Sequence, residues 1–353
     1  YNFNDCLRAS GVNKSIFDEA FDLILNNNKI IVCWAMGLTQ HKNAVDNIRE
    51  IVNLLLLKGS IGREGAGTCP VRGHSNVQGD RTVGIWEKAP QAFLDKIESK
   101  YGFKPTNKHG FSVIDAIKAM YEKKAKVFFG LGGNFISAVP DTMYAAEALS
   151  NCNLTVHVST KLNRSHLVTG KEALIFPCLG RTEKDYQKTG VQTQSVENSM
   201  GVVSSTKGVL EPCSDKLLSE VAVVCGIANA TLKERSKVDW LKYKDDYNLV
   251  RNDIQDVVSG FEDYNTRLKN PSGFYLPNGP RVRDFKTKTG KANFSINKLP
   301  SWKLKNDELI MMTIRSHDQF NTTIYGLNDR YRGVFNERRI IFMNREDMKA
   351  RNL

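Results

Sequence analysis

Two short apolar runs, each breaking into glycine and each followed by a helical period, leave little choice of architecture. "KIIVCWAM" (Lys29–Met36) runs into "GLTQ", and from Ala44 to Lys58 apolar residues recur at helical spacing up to Gly59, which is placed to cap the helix C-terminus. "KVFFGLGGNF" repeats the pattern between a helical stretch at Ile114–Lys124 and another at Asp141–Asn151. Continuous apolar runs of strand length are expected of strands covered on both faces. "LTVHVST" (Leu154–Thr160) and "EALIFPC" (Glu172–Cys178) add two more strands, and Ser15–Asn27 and Lys216–Leu232 two more helices. Helices alternating with short apolar strands specify the α/β class with a mostly parallel sheet.

From about Glu234 the pattern fades. "NPSGFYLPNGPRVRDFKTKTGKANFSI" is rich in Gly, Pro, Asn and Lys, and reads as a surface excursion with a hairpin. Strands are expected again at "LIMMTIRS" (Leu309–Ser316) and "RIIFMN" (Arg339–Asn344). A domain starting near residue 305 has too few residues left to bury much of a core.

The chain of 353 residues has room for roughly two or three domains. No apolar run approaches the ~20 residues of a membrane span, and the first residues lack the basic start and apolar region of a signal peptide. The chain opens without Met, as a piece of a longer chain does. Its net charge of +12 suits an anionic ligand or nucleic acid, but equally a solvated basic surface, and no basic block is interleaved with aromatics. The seven cysteines are odd in number and widely spaced, with no C-x-x-C. They are expected to be reduced, mostly buried thiols of a cytoplasmic protein.

The candidate chemistry sits in loops. In an open α/β sheet, ligands bind at the carboxyl ends of strands, where backbone N–H groups meet an anion and glycine permits close approach. "WAMGLTQ" and "FFGLGGNF" are such turns, although "GLGGN" lacks the dinucleotide fingerprint and both also suit tight βα connections without a ligand. "GTCPVRGHSNVQGD" concentrates a five-donor guanidinium (Arg72), an imidazole (His74) and two amides (Asn76, Gln78) in a polar, glycine-rich stretch. It is a binding loop or an ordered surface loop with Arg72 in a salt bridge. Lys161, Arg164, His166 and Arg181 form a phosphate rim or a basic face. "TIRSHDQFNTTIYG" places Arg315, His317, Asp318, Gln319 and Asn321 straight after an expected strand. A hydrolase triad of Ser316, His317 and Asp318 fails, because adjacent residues cannot face one another as a triad requires.

Taken together these motifs resemble the catalytic subunits of the DMSO-reductase family of molybdopterin enzymes. The resemblance rests on Met-Gly-x-Thr-Gln at Met36–Gln40, the apolar helix, Gly-x-x-Gly-x-x-x-Ala-Gly at Gly59–Gly67, and Pro-x-Arg-Gly-x-x-Asn-Val-Gln-Gly at Pro70–Gly79. The wording of "TKLNRSHLVTG" and "RSHDQFNTTIYG" is most similar to the branch like formate dehydrogenase alpha subunits. The resemblance implies an internal fragment of a larger subunit. It would hold two Rossmann-like α/β domains, one ending over residues 1–73 and one over 74–300, then the truncated start of a C-terminal β-barrel domain over 305–353.

It also implies a bis(molybdopterin guanine dinucleotide) cofactor with Mo or W, and two-electron redox chemistry on a small anionic substrate such as formate. Arg72 would stand beside the metal and orient that anion, with His74 as its catalytic companion; the formate dehydrogenases carry Gln at His74. Gly73 and His74 would line the cofactor, and Gly37, Thr39 and Gln40 would touch one pterin dinucleotide. Gly132 and Asn134 would meet the other, Ser159 and Thr160 would lie near a guanosine, and Arg315, Gln319 and Asn321 would close over the pterin. The metal ligand and a 4Fe-4S iron–sulfur domain belong to a preceding region, and the electron partner is not named. The rival is a non-catalytic nucleotide- or nucleic-acid-binding α/β protein that uses its basic surface.

Overall fold

The apolar runs become strands of two separate parallel sheets. In the computed structural model, which describes residues 2–301, 303–314, 317, 326–337 and 339–353, the chain divides into two units. One comprises Tyr1–Gly110, Arg181–Asp215 and Val221–Lys303, the other Phe111–Gly180, Lys216–Glu220 and Leu304–Leu353.

The first unit opens with helices α1 (Phe3–Ser10) and α2 (Lys14–Asn26), whose N-caps Asn2 and Asn13 accept hydrogen bonds from first-turn amides. Strand β1 (Ile31–Trp34) leads into a single helical turn, α3 (Met36–Thr39), where the sequence suggested a plain turn, and then into α4 (Ala44–Leu57). Helix α4 stops as expected at Gly59, whose φ of +62° is a left-handed conformation that costs glycine little. Strand β2 (Gly67–Pro70) pairs with β1 in parallel, from Ile31↔Gly67 to Trp34↔Pro70. Helices α5 (Val77–Thr82) and α6 (Gln91–Tyr101) follow.

The second unit holds α7 (Val113–Tyr121), β3 (Val127–Leu131), α8 (Phe135–Ala138), α9 (Thr142–Ser150), β4 (Leu154–Ser159) and β5 (Glu172–Pro177). Ser112 caps α7 by accepting from Asp115 N–H, and Asp141 caps α9 by accepting from Tyr144 N–H. The three strands are parallel in the order β3-β4-β5. The core joins Ile117 and Met120 of α7 to Ile136 of α8 and to Ala145, Ala148, Leu149 and Cys152 on and after α9.

Back in the first unit, β6 (Tyr186–Gln187) and β7 (Gly190–Val191) make a small hairpin. Strands β8 (Gln194–Glu197) and β9 (Val202–Thr206) pair antiparallel, and after helices α10 (Glu220–Leu232), α11 (Trp240–Asp245), α12 (Tyr247–Val257) and α13 (Tyr264–Arg267), strand β10 (Phe274–Tyr275) joins β9. Val203, Phe261, Tyr264, Leu268 and Phe274 close a second core there. Helix α14 (Arg345–Lys349) lies near the C-terminus.

Three expectations need correction. Apolar content does not bring burial on both faces: along β1 and β3 exposed residues alternate with half-buried ones, β5 is mostly exposed, and only β4, with a neighbour on each side, buries its middle residues. The described part of Leu309–Ser316, residues 309–314, and Arg339–Asn344 form no strand. A strand exists only where a partner takes up its backbone hydrogen bonds, and Met311, Met312 and Ile341 are each more than 70% exposed. Of the seven cysteines, three (Cys152, Cys178 and Cys225) are buried.

Candidate functional site

Parallel pairing brings the two most distinctive motifs to one edge. Strands β1 and β2 end side by side at Trp34 and Pro70, and Val71 N–H still donates to the Trp34 carbonyl at 2.7 Å. The chain leaves β1 into Gly37, Thr39 and Gln40, and leaves β2 into Arg72, Gly73 and His74. All six are exposed. Gln40 closes α3, donating from its backbone to the Met36 carbonyl at 2.9 Å, while His41 Nε2 bonds the Gly37 carbonyl at 2.7 Å. Arg72 is in no salt bridge among the described residues; its Nη2 donates to Gln78 Oε1 at 3.1 Å. Beside His74, the Arg181 guanidinium donates to the Ser75 hydroxyl.

The arginine loop is anchored from behind. Asn76 Oδ1 accepts from the backbone N–H of Glu197 on β8 at 2.9 Å. Gly79 permits this: a Cβ there would stand 2.1 Å from the same oxygen. The Glu197 carboxyl beneath is buried. Burial pushes it above the usual carboxylate range, and a hydrogen bond from Thr82 offsets part of that rise. Glu197 is not placed here by local sequence, because its contact with Asn76 joins residues more than a hundred positions apart.

In the second unit the same strand ends carry the remaining candidates. Gly132 and Gly133 follow β3 with φ of +74° and +79°, the left-handed region that glycine enters without strain. Gly132 N–H donates to the Val158 carbonyl of β4 at 2.7 Å. The "NRSH" segment latches the turn: Asn163 Nδ2 donates to the Gly133 carbonyl at 2.9 Å, and the Ser165 hydroxyl donates to Asn134 Oδ1 at 3.1 Å while accepting from Ile136 N–H at 3.0 Å. Ser159 ends β4 with its hydroxyl on the Lys161 carbonyl at 2.7 Å, and Thr160 is exposed.

His166 belongs to no basic rim. It is buried, and its Nδ1 accepts from Asn163 N–H at 2.9 Å in a capping box. Its ring centroid lies 4.8 Å from that of His157, also buried. Burial, and secondarily the charge His166 would carry, hold His157 below the ordinary imidazole range. Asn163 and Ser165 were not singled out in the sequence, although the i, i+3 capping pattern is legible there. Arg315, Gln319 and Asn321 lie outside the described residues.

A sequence model of the molybdopterin oxidoreductase family matches residues 17–212, more than half of the chain. The chain belongs to the molybdopterin oxidoreductase family. It is 49% identical over 343 residues to an uncharacterized oxidoreductase of Mycobacterium tuberculosis (strain ATCC 25618 / H37Rv), covering 97% of this chain and 44% of that protein. It is 46% identical over 351 residues to the protein YdeP of Escherichia coli (strain K12), covering 98% and 46%. An F420-dependent formate dehydrogenase subunit alpha of Methanocaldococcus jannaschii is 28% identical over 156 residues, covering 42% and 23%. The chain thus spans less than half the length of the first two relatives.

Membership in the molybdopterin oxidoreductase family implies a molybdopterin cofactor, and the exposed strand ends fit one. A Cβ added at Gly37, Gly73 or Gly133 would meet nothing within 4 Å, so a ligand can approach the backbone at all three. The exposed side chains around these glycines, guanidinium, imidazole, amide and hydroxyl, are donors suited to phosphate, ribose and ring nitrogens. They do not suit a metal directly: among the described residues no group of three or more His, Cys, Asp or Glu could hold a metal ion. Among them, too, no helix is long and apolar enough to cross a membrane.

Proposed function

We propose that this chain is part of the catalytic subunit of a cytoplasmic two-electron oxidoreductase, like the formate dehydrogenases, that carries bis(molybdopterin guanine dinucleotide) with Mo or W. On this reading residues 1–73 end one α/β cofactor-binding domain and 74–300 form the second, and the segment from 305 enters a β-barrel once strand partners are supplied. The group supplies the redox chemistry when bound, while the protein binds, orients and tunes. Gly37, Thr39 and Gln40 would hold one pterin dinucleotide. Gly132, Asn134, Ser159 and Thr160 would hold the other through backbone approach and short hydroxyl and amide side chains, and Arg315, Gln319 and Asn321 would cover the pterin. Gly73 and His74 would line the group. The metal ligand and an iron–sulfur domain would come from residues outside this chain.

The observation that carries this reading is the exposed Arg72 guanidinium on a loop leaving the strand end beside that of Gly37. Its planar fork can hold two oxygens of a small anion such as formate, and Gln78 keeps one edge of the fork in place. The test is metal and pterin analysis of the full-length protein, followed by Arg72→Lys. About one Mo or W per chain is expected, with guanine dinucleotide pterin. Arg72→Lys should retain both and lose about 2–4 kcal/mol of transition-state stabilisation, ~10²–10³ in rate, as on removal of one preorganised donor. Active protein without metal and pterin would end the cofactor reading. A kcat/KM within about twofold of wild type would make Arg72 structural.

A further inference from the structure

Strand pairing makes neighbours of two cysteines that lie far apart in sequence. Cys33 of β1 and Cys69 of β2 are direct register partners in a parallel pair. Residues so paired point to the same face, and adjacent strands lie about 4.8 Å apart, inside the ~4.4–6.8 Å Cα separation that a disulfide spans. The paired side chains are close enough for Cys33 to act electrostatically on the Cys69 thiol. Cys33 is exposed and Cys69 half-buried, so a reagent reaches Cys33 first. Arg72 follows Cys69 by three residues and Gly37 follows Cys33 by four, so the pair lies where both loops leave the sheet.

We infer that Cys33 and Cys69 are a modification site, a dithiol that closes reversibly to a disulfide across β1 and β2 by exchange with a low-molecular-weight disulfide such as oxidised glutathione. The Cys33 thiolate attacks one sulfur of the reagent, whose S–S bond breaks and releases one thiol. The Cys69 thiolate then attacks the Cys33 sulfur and releases the second. Two protein thiols lose two electrons, the reagent gains them, and the two protein protons are balanced on the two released thiols. Exposed disulfides of reducing compartments are of the transient, regulatory kind. Burial first, and the neighbouring Cys33 thiol second, push the Cys69 thiol up. Its thiolate is therefore scarce at neutral pH, and ring closure quickens as pH rises.

The experiment treats the full-length protein with oxidised glutathione, quenches with an alkylating agent, digests it and maps disulfides by mass spectrometry. The expected product is a Cys33–Cys69 linked peptide that dithiothreitol reverses and that forms at least severalfold faster at pH 9 than at pH 7. Cys69→Ser should instead stop at a persistent glutathione adduct on Cys33. Wild-type Cys33 that stays unmodified, stays glutathionylated, or links to any other cysteine overturns the proposal, with no variant needed.

Discussion

Alanine at position 79 tests whether the arginine loop is held from behind. Gly79 has an ordinary helical backbone, so in the absence of neighbours Gly79→Ala should stabilise α5 by about 0.5–1 kcal/mol. Its neighbour decides otherwise: the new Cβ would stand 2.1 Å from Asn76 Oδ1, which accepts from Glu197 N–H. The amide must swing away and leave that N–H without its acceptor, a loss of about 1–3 kcal/mol. The net expectation is a local destabilisation of about 1–2 kcal/mol, a loss of roughly 5–30-fold in the exchange protection of the Glu197 amide. The assay is amide hydrogen exchange in the full-length protein, run as a double-mutant cycle with Asn76→Ala. With the amide already gone, Gly79→Ala should become neutral or stabilising, giving a coupling of about 1–3 kcal/mol. Unchanged Glu197 protection in Gly79→Ala, or additivity within about 0.5 kcal/mol, would refute the anchoring argument.

His157 has its folded pKa depressed, so its contribution to stability is present above the unfolded value of about 6.5 and is lost as pH falls through the lower folded value. His157→Phe should flatten the acid side of a plot of denaturant midpoint against pH; an unchanged slope would remove His157 as its cause. Glu197 has the opposite sign: raised in the folded state, it favours folding below the unfolded carboxyl value and loses that contribution as pH rises through the folded one. Glu197→Gln should therefore match wild type near pH 4 and equal or exceed it at pH 7–8 in denaturant midpoint. Leu149, fully buried in the core of the second unit, should cost about 2–5 kcal/mol as Leu149→Ala, read from the unfolding transition of that unit.

What the sequence could disclose followed the range of the signal. Helices α2, α4, α7 and α9 and strands β1, β3, β4 and β5 lie where their periods place them, because period and capping are local. Gly59, Gly132 and Gly133 were legible for the same reason. Exposure was not: an apolar run such as "FFGL" has the same composition whether or not something covers it, and among the described residues β3 has a neighbour on one side only. The strands expected near Leu309 and Arg339 failed on that same dependence on partners. At the candidate site, each loop could be recognised by its residues, but the side-by-side ending of the strands that lead to Gly37 and Arg72, and the pairing of Cys33 with Cys69, depend on a register that no local pattern encodes. The Asn76–Glu197 contact and the tilted His157–His166 ring pair are equally products of tertiary packing.

The latch beneath the glycine turn after β3 bears on affinity. Asn163 and Ser165 hold Gly133, Asn134 and Ile136 through hydrogen bonds made within the protein. A loose turn would have to be immobilised by whatever it binds, at about 1–2 kcal/mol of backbone entropy per residue, subtracted directly from the binding free energy. Here that freedom is given up when the unit folds. A ligand bound at this turn would have its dissociation rate, and so its residence time, tied to the rigidity of residues 163–166.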